Sequence, residues 1–375
     1  MKNSKYIKNT VRATALLLVL ITALSSLVGC SRHVTDGAVS DPDDLRVVGT
    51  VGGYEVLYDE FRYVVLSCKS ILSDKYGKDV WSDPEAAAAL LPTLEEMVAE
   101  RITANYAVLL LCDANGHTNA LSDKDAVRYV NETVDEAIYM HARAAGLEVE
   151  VKKKGLDKVS YKYGKGALDK AKELYKKSLA EYYITERVMR LTLGVEHAFS
   201  KLSEILTYTK GEIIHKSEDI EAFMKSDEFI CTRHVFIEKS DKVDREAAKK
   251  LAEEAYGKYL DGASFDSLVG SKYNSDMTMP YNGYYFTRGE MDEAYEEAAF
   301  ALGVGDVSEI VETDSGFFII QRYPKDNAYM VENLEAFANQ IVYSLVDRKV
   351  RALQSSLILE KNEFGRSLNI LELEG

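Results

Sequence analysis

The apolar positions change period several times along the chain, and each change marks an element. Val47 to Val56 reads as a strand turned at Gly52-Gly53. From Tyr58 to about Lys75 the stripe Phe61, Val64, Val65, Cys68, Ile71 and Leu72 recurs at helical spacing. Ser82-Asp83-Pro84-Glu85 reads as a helix start, with Ser82 as the cap, Pro in the first turn and Glu three residues past the cap. Leu94, Met97, Val98, Arg101, Ile102, Asn105, Leu109 and Cys112 then keep a 3.6-residue period to about Asp113. Asn115-Gly116 ends that helix, and Ser122 to Asp125 caps the next, which runs to about Ala145.

Glu148 to Gly166 interrupts the pattern with Lys152-Lys153-Lys154 and three glycines, and is expected to be a solvated loop. Leu168 to Thr192, Val195 to Thr209 and Ser217 to Lys225 are again helical, and a strand begins at Phe229. Past Tyr323-Pro324, Leu334, Phe337, Ile341, Leu345, Ala352, Leu353 and Leu357 mark one helix over Val331 to Glu363. A rod of that length spans about 45 to 50 Å, and its apolar stripe must pack on other helices. A homodimeric coiled coil is the alternative, although the stripe is less regular than sustained heptads need.

The first thirty residues have a different composition. Lys2, Lys5, Lys8 and Arg12 form a cationic leader, Ala13 to Val28 is apolar, and the run ends at Leu27-Val28-Gly29-Cys30. This three-part layout is that of a secretory signal, and the apolar run is shorter than the roughly 20 residues that span a bilayer. Leu-Val-Gly-Cys resembles a lipoprotein box, which implies lipidation of Cys30. Ser31 to Asp44 reads as a flexible tether. Loss of residues 1–29 would take those four cations and no acids, moving the formal charge from −15 to −19. A body this acidic has no attraction for nucleic acid, whose binding runs on phosphate neutralisation. Cys68, Cys112 and Cys231 remain, widely spaced and without a CxxC. Cys68 falls on an apolar stripe, so free buried thiols are expected; a Cys68–Cys112 disulfide is the alternative for an exported chain.

Between Cys231 and Tyr323 a set of short motifs follows in order. They are Arg233-His234-Val235-Phe236-Ile237, Gly262-Ala263-Ser264-Phe265, Tyr273-Asn274-Ser275-Asp276, Phe286 to Met291, Ala299 to Leu302, Gly305 to Ser308 and Thr313 to Ile320. Each is weak alone; together they resemble the parvulin (PpiC-like, rotamase) domain. The whole chain resembles PrsA-type foldase lipoproteins, with a layout similar to SurA-like chaperones. The resemblance implies an α+β protein: a mostly helical chaperone body carrying an inserted parvulin-like domain, whose antiparallel four-stranded sheet is flanked by helices. The expected boundaries are 1–29 signal peptide, 30–45 tether, 46–227 helical body, 228–325 parvulin-like domain, and 326–375 a helix packing back on the N-terminal part.

Cis/trans exchange at an X–Pro bond crosses a barrier of about 18–20 kcal/mol, because amide resonance must be broken. It needs no nucleophile, metal or cofactor, only a dry slot for the proline ring and polar groups that favour the twisted amide. The resemblance implies catalytic roles for His234, Asp276, Thr313 and Ser315, the last two as hydroxyls bonded into the histidine network. It implies a proline pocket at Met291 and Tyr295, four apart on one helix face, with Phe318 and Tyr284 lining the cleft. Four positions depart from the usual pattern. Phe318 stands where a second histidine is usual, Tyr295 where Phe is usual, and Tyr281 and Tyr284 fall in a normally glycine-rich hinge. If His234 depended on the missing histidine, a buried polar group would lose a partner worth about 1–3 kcal/mol, and catalysis would slow roughly ten- to a hundredfold. Lys239, Lys242 and Arg245 are interleaved with acids, so a phosphate clamp is not expected.

The resemblance, with its departures, implies one of two functions. One is an exported, lipid-anchored foldase at the extracytoplasmic face of the bacterial membrane, which binds unfolded exported polypeptides and isomerises their X–Pro bonds. The other is a non-catalytic holdase that keeps the parvulin fold as a peptide-binding module, as Phe318 would favour. A solute-binding lipoprotein is a weaker third reading, since nothing resembles two α/β lobes around a cleft.

Overall fold

The computed structural model describes residues 43–154, 158–240 and 243–373. The signal, Cys30 and most of the tether lie outside the described residues, as does Lys242. Among the described residues, no helix is long and apolar enough to cross a membrane. The chain divides into two units, one holding the described residues to Leu110, 119–197 and from Leu357 on, the other Leu111–Thr118 and Ala198–Ser356.

In the first unit, β1 (Val47–Val51) and β2 (Tyr54–Leu57) form an antiparallel hairpin. Gly52 and Gly53 turn it at positive φ, and a Cβ on Gly52 would meet Leu110 at 2.5 Å. Helix α1 (Tyr58–Tyr76) follows, then α2 (Pro84–Ala114) and α3 (Lys124–Ala144). The cap of α2 is Asp83 rather than Ser82: its carboxylate accepts from the amides of Glu85 and Ala86. That placement leaves Pro84 as the first helical residue, where its missing N–H costs nothing. Val130, Val134, Ile138 and Ala142 of α3 pack on Ala171, Tyr175 and Leu179 of α4 (Ala167–Ala180).

Glu148 to Gly166 is not a loop but largely a hairpin, β3 (Val149–Lys154) against β4 (Lys158–Tyr163). Its Val and Tyr residues alternate with polar ones, and Tyr161 stacks on Tyr139 of α3 at 4.4 Å. The charge run masked that two-residue period. The predicted helix across 168–192 breaks at Tyr183, whose φ is 60°. It resumes as α5 (Glu186–Glu204), where the amide of Val188 bonds the Thr185 hydroxyl.

In the second unit, a four-stranded antiparallel sheet has the order β6-β5-β8-β7, with β5 (Phe229–Glu238), β6 (Tyr284–Thr287), β7 (Val307–Glu312) and β8 (Gly316–Tyr323). Side chains alternate between faces along β5. Val235 and Ile237 point to Ala248, Ala252 and Ala255 of α7 (Arg245–Leu260) and to Phe265 and Leu268 of α8 (Phe265–Val269). On the other face, Ile230 meets Tyr295 and Ala299 of α9 (Glu293–Ala301).

The C-terminal segment differs from its expected course. It forms α10 (Asn327–Glu332), α11 (Leu334–Gln354), the two-residue β9 (Glu360–Lys361) and α12 (Glu363–Ser367) instead of one rod. Phe337 and Ile341 of α11 cover Phe229, Cys231 and Tyr285 of the sheet, together with Ile220 and Met224 of α6 (Ser217–Lys225). Segment 326–375 is therefore divided: to Ser356 it belongs with the sheet, and only from Leu357 does it join the first unit, where β9 pairs with β1. The apolar end of β5 needs covering, and the α11 stripe supplies it. The three cysteines are free and buried, so the Cys68–Cys112 disulfide is absent.

Candidate active site

His234 lies mid-strand in β5, on the face shared by Thr232 and Phe236, and is 6% exposed. Its Nδ1 is 3.0 Å from the Tyr295 hydroxyl, and its Nε2 is 3.1 Å from Asp276 Oδ2. Tyr284 stacks on the imidazole, with ring centroids 5.4 Å apart, and Phe318 meets it edge-on at 5.1 Å. Burial holds the ring's pKa below its ordinary 6.5, against the opposing pull of Asp276, so the imidazole is neutral at neutral pH.

Asp276 reaches the histidine because its loop is sewn to the edge of β5. β6 pairs with β5 only as far as Thr232. Beyond that point the amide of Ser275 donates to the Phe236 carbonyl at 2.7 Å, and the amide of Phe236 donates to Asn274 Oδ1 at 2.9 Å. The Asn274 amide nitrogen donates to the carbonyls of Val269 and Asp276, each at 3.1 Å. The Asp276 carboxylate accepts from the Tyr284 hydroxyl and from the amide and hydroxyl of Thr278, all at 2.8 Å. Burial alone would raise its pKa, but these hydrogen bonds, with His234 alongside, outweigh it and hold the carboxyl below its ordinary range. Gly283 closes the loop at φ 80°, where a Cβ would stand 2.6 Å from the Thr232 carbonyl oxygen.

Met291 lies before α9, not in its first turn, because Asp292 caps the helix through the amide of Ala294. The turn that carries it is held by Glu296, which is buried. This carboxylate accepts from the amides of Gly289, Glu290 and Met291 at 2.9, 2.8 and 2.9 Å. Tyr295 is 3% exposed, so its hydroxyl is interior rather than at a pocket rim. Phe318, Phe236 and Tyr284 are each half-buried and form the apolar wall beside His234, and Met291, also half-buried, packs in the cluster that holds Tyr284 and Phe318.

Residues 205–325 match the family model described as PPIC-type PPIASE domain. The chain carries a parvulin-type peptidyl-prolyl isomerase domain. It is also homologous to PrsA foldase proteins: it is 24% identical over 316 residues to "Foldase protein PrsA" of Caldanaerobacter subterraneus subsp. tengcongensis, covering 83% of this chain and 82% of that protein. Over 64 residues it is 60% identical to "Peptidyl-prolyl cis-trans isomerase Pin1" of Digitalis lanata, covering 16% of this chain and 53% of that protein. The crystal structure of foldase protein PrsA from Streptococcus pneumoniae aligns over 86% of this chain and 97% of that one, at 18% identity and a TM-score of 0.29.

Within the parvulin domain, the structure brings together His234, Asp276, Tyr284, Tyr295 and Phe318, with Met291 in the same apolar cluster. It does not bring Thr313 and Ser315 to them. Those hydroxyls bond each other at 3.0 Å, and Thr313 also bonds the Gly316 carbonyl. Gly316 pairs with Glu238, whereas His234 pairs with Ile320, so the hydroxyls lie about 13 Å along the sheet. They form the turn into β8. With Phe318 in place of a second histidine, both ring nitrogens of His234 are nonetheless engaged.

Phe318 instead stacks on Phe236 at 4.4 Å. Arg245 bonds both oxygens of Glu312 at 2.6 Å, and Lys239 bonds the Thr313 carbonyl. The parvulin domain's described cations in this loop are thus tied within the fold. Sequence reasoning missed Asn274 and Glu296. Asn274 lay inside a recognised motif, whereas Glu296 had no signal beyond an acid among acids.

Proposed function

We propose that this chain is an exported foldase, tethered by lipid on Cys30, that catalyses cis/trans isomerisation of X–Pro bonds in unfolded exported polypeptides. The observation that carries the reading is the Asp276 carboxylate, kept ionised by Tyr284, Thr278 and His234 beside the half-buried wall of Phe236 and Phe318. A planar amide carries partial negative charge on its carbonyl oxygen, and twisting removes the resonance that puts it there. A fixed anion near that oxygen disfavours the planar form more than the twisted one. Each tenfold acceleration needs about 1.4 kcal/mol of such preference. Uncatalysed exchange takes tens to hundreds of seconds, which a chain emerging unfolded across a membrane cannot easily spare.

The leader, the lipoprotein box and the homology to PrsA foldases support export and anchoring at the extracytoplasmic face. Isomerisation of a proline-containing peptide by residues 30–375, compared with His234→Ala and Asp276→Ala, tests the reading. Wild-type turnover that falls in both variants is expected. Equal rates in all three would overturn it. The second reading is the holdase, in which the half-buried cleft beside His234 only binds peptide. Its signature is suppression of client aggregation by wild-type protein that shows no turnover.

A further inference from the structure

We infer that Tyr295 is a positioning residue whose hydroxyl locks His234 in the tautomer that points Nε2–H at Asp276. Asp276 is an ionised carboxylate and can only accept hydrogen bonds. In the 3.1 Å contact the hydrogen therefore sits on Nε2 of the ring. A neutral imidazole with Nε2–H has a bare Nδ1, which needs a donor. The Tyr295 hydroxyl is 3.0 Å from Nδ1, and its oxygen is 2.8 Å from Thr232 Oγ1. Thr232 thus donates to Tyr295, Tyr295 to Nδ1, and Nε2 to Asp276. Thr232 and Tyr295 are 0% and 3% exposed, so water does not substitute for either.

The opposite tautomer would place a bare Nε2 against a carboxylate oxygen, lone pair against lone pair. Phe318, edge-on to both His234 and Tyr295 at 5.1 Å, has no polar atom to offer. Tyr295 therefore completes the ring's hydrogen bonding on the side away from Asp276. Deleting its hydroxyl leaves a buried bare nitrogen. Tautomer exchange or ring rotation relieves that, and either one takes the hydrogen off Asp276.

The consequence for rate rests on the isomerase reading; the geometry does not. Nitrogen-15 NMR of His234 in the full chain, at pH values where the ring is neutral, reads the tautomer directly. Wild-type protein is expected to show protonated Nε2 and bare Nδ1. Tyr295→Phe is expected to populate the second tautomer and to lower kcat/KM about tenfold. A wild-type ring protonated at Nδ1 overturns the inference, even if the variant fails to fold. So does a folded Tyr295→Phe that keeps the wild-type tautomer. Absence of turnover in wild-type protein would sink the isomerase reading while leaving the spectrum to decide this one.

Discussion

Tyr284 lies nearly parallel to the imidazole of His234, 15° between planes, and both rings deliver a hydrogen to the same oxygen of Asp276. One carboxylate oxygen thus has two aromatic donors, while Thr278 occupies the other. Tyr284→Phe removes one donor without disturbing the stack. Its expected effect is a rise in the Asp276 pKa, so the acid limb of the pH–rate profile moves upward. At neutral pH, kcat/KM should fall by about three- to tenfold, a hydrogen bond's worth of roughly 1 kcal/mol. An unmoved acid limb would show that Tyr284 acts only as a wall.

His234 also sets a pH dependence of stability. Its folded pKa lies below its ordinary 6.5 because the ring is buried. The unfolded chain therefore binds more protons between the depressed value and 6.5. Stability from this group is complete above 6.5 and is lost as pH falls toward the folded value. Urea midpoints of the wild-type chain should drop between pH 7 and pH 5 more steeply than those of His234→Gln. Parallel curves would contradict the assignment.

Glu296 holds three consecutive amides of the turn that presents Met291. Glu296→Ala leaves those donors without their acceptor, at a cost of about 2–3 kcal/mol. The variant should unfold at lower urea and show a raised KM with a smaller change in kcat, because the turn positions the pocket wall rather than the reacting amide. Equal losses in kcat and kcat/KM would place Glu296 in the chemistry instead.

In the first unit, Asp59 and Glu60 are both 1% exposed. Arg187 forms a close fork to Asp59, which also accepts from Thr185 at 2.7 Å, whereas Glu60 accepts from Tyr106 at 2.9 Å. Burial raises the Glu60 pKa above 4.5, despite Tyr106 and the Arg187 guanidinium 3.9 Å away. Its contribution to stability is therefore full below 4.5 and is lost as pH rises through the raised folded value. Glu60→Gln should flatten that dependence and raise the thermal midpoint at pH 7. A lower midpoint at pH 7 would show that the charged form is the one the fold uses.

Much of the site was legible because parvulin motifs are local. The strand around His234, the Asn274–Asp276 segment and the Met291–Tyr295 pair each carry their own signal. Thr313 and Ser315 were misplaced because membership in a motif does not give strand register. Two strands paired four residues away put those hydroxyls at the far end of the sheet. The solvated loop at 148–166 was misread for a related reason: its charges hid an alternation that only pairing reveals.

From the residues alone came what depends on nearest neighbours: most helix spans, the turn glycines, the acidic charge, the leader and the ordered motifs. Tertiary structure decided which side chains meet. Tyr295 and Phe318 read separately as two departures, and only folding sets them against each other beside His234, where a hydroxyl serves one nitrogen and a carboxylate the other. Hydrogen-bond partners 42 and 61 residues apart are chosen by sheet register and helix packing, and no local pattern encodes those distances.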